Sequence, residues 1–213
     1  MRLYALPHSG YCAKVRIALR FKGIDWIEEP PPGGYRSDTY RRLVPAGNLP
    51  ALVHGDLTLA DSEAICEYLE DVFPEPPLLP REPADRARMR ARARFHDTRL
   101  EPALRALFPH LRPASRNPAA IAALAPVLAE RLEQAAMLVA EAPGLPFGIG
   151  DLGYAPTLAW VDALTPVLGL GRIVPPSLED HVANLRAQPA VEAELACFVP
   201  AVADWLASIG AQA

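Results

Sequence analysis

The sequence predicts an α/β fold in its first third and an all-α fold in the remainder. A strand–helix–strand pattern opens the chain, a proline-rich stretch from Pro74 to Pro80 interrupts it, and no convincing strand pattern follows. The predicted units are residues 1–75, with a mixed four-stranded sheet and its helices, a linker at 76–83, and a helical unit over 84–213.

Residues 2–6 read as a short strand ended by Pro7. From Cys12 to Lys22, Val15, Ala18 and Leu19 recur at helical period among Lys14, Arg16, Arg20 and Lys22. Gly23 stands where a helix C-cap belongs. Ile24–Ile27 gives a second strand, and a crossover through one helix implies parallel pairing with the first. After the loop Pro30–Gly34 comes a weak helix around Asp38–Leu43. Ala51–His54 and Leu57–Leu59 form a hairpin about Gly55-Asp56. Asp61-Ser62 opens a helix that runs to about Asp71, with Ala64, Ile65, Tyr68 and Leu69 on its apolar face. Pro74–Pro80 is a stiff extended connection. Helices are predicted beyond it over 83–110, 118–141, 149–166, 178–187 and 189–208, and Pro113, Pro118, Pro143, Pro146, Pro175 and Pro176 mark the breaks.

Composition narrows the function. With 51% hydrophobic and 22% charged residues the chain folds rather than remaining disordered. No apolar run reaches the ~18–20 residues of a membrane helix, and Met1–Gly10 lacks the apolar core of a secretory signal. A net charge of −4 argues against wholesale nucleic-acid binding. Cys12, Cys66 and Cys197 are too scattered for a disulfide framework, so a reducing, cytoplasmic setting is expected. The histidines, His8, His54, His96, His110 and His181, show no metal-ligand spacing, and no metal is expected. Arg86 to Arg94 places arginine at every second position. That run reads either as an anion-binding surface or as a solvated and interfacial face whose arginines meet acids of this chain or a partner. A spacing of two spreads side chains over more than one helix face, which favours the second reading.

Three short motifs carry chemistry. His8-Ser9-Gly10-Tyr11-Cys12 puts a hydroxyl and a thiol at a helix N-terminus, where free N–H groups and the dipole stabilise an anion such as a thiolate. Ser9 can equally be a simple N-cap, and Cys12 a small buried residue. Leu49-Pro50 precedes a strand; a cis bond there turns the Leu49 backbone outward to pair with a peptide-like ligand, whereas an ordinary turn proline does nothing of the kind. Asp61-Ser62 caps a helix, or holds the ammonium and carboxylate of an amino-acid head group.

The order and spacing of these motifs resemble the cytosolic glutathione transferases over nearly the whole chain. The matching stretches are Ser9–Leu19, Pro45–Leu52 and Leu59–Leu69. The resemblance implies a thioredoxin-like N-terminal domain and a homodimer. It implies glutathione as co-substrate, with Ser9 as the catalytic hydroxyl that activates the thiol, as in serine-type members. Leu49, beside Pro50, would pair with the cysteinyl backbone of glutathione, and Asp61 and Ser62 would take the γ-glutamyl head group. Asn48 stands where a lysine often meets the glycyl carboxylate. The family usually carries Glu or Gln where this chain has Asp61, and Asn where it has Val44; together these departures imply modest glutathione affinity. Gly148–Pro156 resembles the family's Ser/Thr-x-x-Asp capping segment, with Gly148 in place of the hydroxyl and Asp151 retained for a folding role.

The implied activity is attack of the glutathione thiolate on a small hydrophobic electrophile, with no nucleic-acid or membrane partner. The electrophile pocket is expected between the two units, lined by Tyr11, Leu104 and Phe108 with Phe95 and Leu107 nearby. Glutathione-dependent isomerisation or dehalogenation, thiol oxidoreduction through Cys12, and a non-catalytic glutathione-binding module are the alternatives. Replacement of a Cys-x-x-Cys pair by Ser9-x-x-Cys12 weakens the oxidoreductase reading.

Overall fold

The computed structural model describes residues 1–211; the last two residues of the predicted helical unit, Gln212 and Ala213, lie outside the described residues. The first half contains β1 (Arg2–Tyr4), α1 (Gly10–Phe21), β2 (Ile27–Glu29), α2 (Asp38–Arg41), β3 (Ala51–His54), β4 (Leu57–Ala60) and α3 (Ser62–Val72). The sheet order is β2-β1-β3-β4. β1 and β2 are parallel, and the other two pairings are antiparallel. Leu3 lies opposite Leu52 and Tyr4 opposite Ala51. Because side chains alternate across a strand, the first pair faces α1 and α3, and the second faces Tyr40 and Val44 on the other side.

The second strand starts three residues later than the periodicity suggests. The Ile24 N–H bonds to Leu19 O at 3.0 Å and the Gly23 N–H to Arg20 O at 3.1 Å, with Gly23 at φ 63°. This is a Schellman closure of α1. It occupies the amide of Ile24 and turns its side chain onto the helix it terminates, so ladder pairing begins only at Ile27.

The second half is helical: α4 (Pro83–Phe95), α5 (Glu101–Arg105), α6 (Pro118–Ala140), α7 (Tyr154–Val167), α8 (Glu179–Arg186) and α9 (Pro189–Ser208). The helix expected over 83–110 is divided, since a π-helical turn at His96–Leu100 separates α4 from α5. The helix expected from 149 begins at Tyr154, because Gly148–Gly153 forms a capped turn. Among the described residues, no helix is long and apolar enough to cross a membrane.

α1 is the joint between the halves. It packs on α3 on one side and on α7 and α9 on the other. Its basic residues are therefore largely enclosed. Lys14 Nζ meets Glu63 Oε2 at 2.6 Å and Asp97 Oδ2 at 2.7 Å. Arg16 meets Glu194 on α9 at 2.7 Å, and Lys22 meets Glu70 at 2.7 Å. Glu70 also accepts the Leu78 and Leu79 N–H groups, which pins the proline-rich connection to α3.

The arginine run divides its members among different partners. Arg86 donates to Pro80 O, Arg88 meets Asp85, Arg90 grips Glu67 on α3 with two hydrogen bonds, and buried Arg92 meets Asp151 at 2.8 Å. Asp151 also accepts the Gly148 N–H at 3.1 Å, closing the turn before α7. A Cβ at Gly148 would fall 2.3 Å from Leu78 O, so close backbone approach excludes the hydroxyl residue that such a cap ordinarily carries.

Candidate active site

Between the halves lies a cavity of about 800 Å³, and the N-termini of α1 and α3 both open into it. Ser9 is the N-cap of α1, and its Oγ accepts the Cys12 N–H at 3.4 Å. Its own hydroxyl proton is available to a group in the cavity. The preceding residue is anchored from the helical half: Trp160 Nε1 on α7 donates to His8 O at 3.1 Å.

Asp61 caps α3 from a left-handed conformation, φ 87°. One oxygen, Oδ1, accepts the N–H groups of Glu63 at 3.0 Å and Ala64 at 3.1 Å. Oδ2 makes no hydrogen bond among the described residues, so the cap leaves half the carboxylate for a ligand. Ser62 is 5% exposed, lines the cavity, and contributes one of the unpaired amides of the helix start. Leu49 lines the cavity between the two helix ends, ahead of a cis bond to buried Pro50. Tyr40 OH donates to Asn48 O at 2.8 Å and holds this loop, while the buried Asn48 Oδ1 has no partner among the described residues.

The structure thus brings Ser9, Asn48, Leu49, Asp61 and Ser62 to one cavity, with Pro50 just behind it. Tyr11 and Phe108 also line it. Leu104 does not. It is 1% exposed in the core of the helical half, where α5 packs on α6 and α7; Leu107 is fully buried in the same core and Phe95 packs partly buried against it.

Electrostatics separates the candidate groups. Burial pushes the Cys12 thiol up, and the Ser9 hydroxyl and the Leu6 backbone oppose this without reversing it. Fully enclosed, Cys12 is a core residue rather than a nucleophile. Burial and the neighbouring Glu101 carboxylate raise the Tyr11 phenol, so it stays protonated. Burial, with Arg105 and Arg16 nearby, lowers His8 and keeps its imidazole neutral near pH 7.

Several lining residues gave no signal in the sequence. Trp160 on α7 and Trp205 on α9 are 5.6 Å apart between ring centroids, with Phe108 4.7 Å from Trp160 and His8 stacked on Trp205 at 5.2 Å. Arg36, Arg94, Asp97 and Arg105 complete the polar part of the wall. The arginine run contained one of these, Arg94, but only the fold distinguishes it from its paired neighbours. Among the described residues, no group of three or more His, Cys, Asp or Glu is placed to hold a metal ion.

This topology, with two helix N-termini at a cleft closed by a helical half, defines a glutathione transferase fold. Residues 3–77 match the glutathione S-transferase N-terminal domain. The chain is 43% identical over 90 residues to glutathione S-transferase 1 of Dianthus caryophyllus, a match covering 41% of each chain. It is 42% identical over 97 residues to the maleylacetoacetate isomerase of Pseudomonas aeruginosa, covering 42% of this chain and 45% of that one. These matched stretches span less than half of the curated relatives' own length. Across both halves, the theta class glutathione S-transferase of Xanthomonas axonopodis, solved with glutathione bound, superposes with a TM-score of 0.76 at 26% identity, covering 91% of this chain and 95% of that one. Residues 3–77 therefore carry the glutathione S-transferase N-terminal domain, and the whole chain shares the fold of solved glutathione S-transferases, its sequence likeness concentrated in the sheet-bearing half.

Proposed function

We propose that the protein is a glutathione transferase whose glutathione-binding domain is residues 1–75, joined through 76–83 to an all-α domain over 84–213. The observation that carries this is the convergence of Ser9, Leu49, Asp61 and Ser62 on one cavity whose opposite wall is aromatic. Ser62 and the α3 amides receive the γ-glutamyl carboxylate, and Asp61 Oδ2 faces the ammonium. The Leu49 backbone pairs with the cysteinyl peptide group. Asn48 and Arg36 are the polar groups on the side expected to meet the glycyl carboxylate.

Ser9 then donates a hydrogen bond to the cysteinyl sulfur at the positive end of α1. A free thiol with a pKa of about 8.5 is only a few per cent ionised at neutral pH. Lowering it by one to two units requires roughly 1.4–2.7 kcal/mol of preferential stabilisation of the thiolate. The thiol proton leaves to solvent, the sulfur forms a bond to an electrophilic carbon in the aromatic half of the cavity, and the leaving group departs with its bonding pair. A homodimer in the cytoplasm is the setting we propose. The likeness to an isomerase supports a second reading, in which the thiolate adds reversibly to a carbon–carbon double bond rather than displacing a leaving group.

Calorimetric titration with reduced glutathione, paired with conjugation of chlorodinitrobenzene by wild type and Ser9→Ala, tests the proposal. Saturable binding and at least a roughly tenfold fall in kcat/KM, equivalent to about 1.4 kcal/mol, are expected for the variant. Wild-type rates in Ser9→Ala would remove Ser9 from the mechanism. Absence of glutathione binding would remove the transferase reading.

A further inference from the structure

A guanidinium borders the aromatic half of the cavity. The Arg105 guanidinium lies 5.0 Å from the centroid of Phe108 and 5.6 Å from that of Tyr11. Phe108 in turn packs against Trp160 and Trp205. Two stacked rings therefore hold the cation at the edge of the surface that takes the electrophile. Its only hydrogen-bond acceptor among the described residues is Glu101 Oε1, one turn earlier, which receives both Nε and Nη2. Nη1 makes no hydrogen bond among the described residues, and the side chain is 47% exposed although it borders a cavity.

Neither acid lining the same cavity pairs with Arg105. Asp97 is bound to Lys14 and His96, and Asp61 Oδ1 caps α3. Arg94 and Arg36 also border the cavity, and no carboxylate pairs with either among the described residues. A purely apolar electrophile would offer no acceptor to Arg105 Nη1, the part of the guanidinium that Glu101 does not hold. A planar electrophile bearing a carboxylate would stack on Phe108 and Trp160 and present its anion to the free edge of the guanidinium.

We infer that the second substrate is an anionic unsaturated or aryl electrophile, its carboxylate held by Arg105 between Tyr11 and Phe108. This rests on the glutathione-transferase reading above and specifies the other half of the same cavity. Arg105 is a specificity residue: it fixes the carboxylate, while the reacting carbon faces the thiolate at Ser9.

The test compares a chlorodinitrobenzoate, with carboxylate para to chlorine, and its methyl ester. In both, the glutathione sulfur bonds to the chlorine-bearing carbon, the C–Cl bond breaks, chloride leaves with the pair, and the thiol proton goes to solvent. With each kcat/KM divided by its uncatalysed rate, the wild type should favour the acid by about tenfold or more. Arg105→Met should bring the ratio to near one, and Arg105→Lys should restore part of it. Affinities of the two purified glutathione conjugates for the wild type give the same comparison without turnover or substitution. Equal use of acid and ester by the wild type overturns the inference, as does a ratio unchanged in Arg105→Met. So does a loss of glutathione affinity in Arg105→Met as large as the loss in acid turnover, which would assign Arg105 to the glycyl carboxylate instead. If the wild type binds glutathione and conjugates the ester without acid preference, only this inference falls; if it binds no glutathione, the transferase reading falls with it.

Discussion

Replacing Lys14 by methionine tests the electrostatic joint under the site. Lys14 Nζ lies 2.6 Å from Glu63 and 2.7 Å from Asp97, with side-chain exposures of 1%, 10% and 11%. Methionine keeps the unbranched length and removes the charge, so packing is nearly conserved. Two enclosed carboxylates then lose their cation, a change that typically costs about 3–5 kcal/mol. For a chain of this size each kcal/mol lowers Tm by about 2–4 °C, so a drop of roughly 10 °C is expected near pH 7.5.

The pH dependence identifies the cause. Burial alone would raise Asp97, but the His96 hydrogen bond and the Lys14 charge outweigh it and hold the carboxyl below its ordinary range. Its contribution is therefore complete above about pH 4 and lost as pH falls through the lower folded value. Burial alone would depress Lys14, but Asp97 and Glu63 overcome it and raise its pKa. The Lys14 contribution is complete below about pH 10.4 and lost only as pH rises through the higher folded value. Burial already raises Glu63 against the Lys14 charge, and in Lys14→Met that opposition is gone while Asp97 keeps its His96 bond, so the folded variant takes up a proton chiefly at Glu63 and regains stability as pH falls toward about 5. Thermal melts followed by circular dichroism from about pH 7.5 to 5 should show the wild-type advantage narrowing. A deficit under about 1 kcal/mol, or one independent of pH, would refute this account of Lys14.

Gly148→Ala should destabilise the protein by about 1–3 kcal/mol in the same melts, because the added Cβ meets the Leu78 carbonyl. An unchanged Tm would show that this contact yields freely. Native thiol titration with a disulfide reagent near neutral pH should modify exposed Cys197 and leave Cys12 and Cys66 unreacted until the chain unfolds, since burial pushes both thiols up. Labelling of Cys12 at the rate of Cys197 would reopen thiol chemistry at the α1 N-terminus.

Local chemistry made part of this site legible. Ser9, Asp61 and Gly23 act within a few residues of themselves, as caps and a helix stop, so their environments are written in neighbouring sequence. The strand alternation of β1 and β3 and the break after Phe73 are local for the same reason. Leu104 and Phe108 were indistinguishable in the sequence, both apolar and one turn apart. One enters the core and the other the cavity, and only the course of the chain around α5 separates them.

The sequence by itself determined the α/β-then-α order, the caps of α1 and α3 and the three motifs that reach the cavity, because each depends on backbone bonding over one or two turns. The tertiary structure alone decided what the charges are for. Lys14, Arg16 and Lys22 have the periodicity of a solvated helix face, yet α1 is enclosed on both sides and each of them binds an acid far away in the chain. Arg105 is similar: its pairing with Glu101 one turn earlier is local, whereas its place over the Tyr11 ring depends on the approach of the other half. Such long-range pairings leave no periodic trace, because their energy depends on burial and distance in space rather than on spacing along the chain.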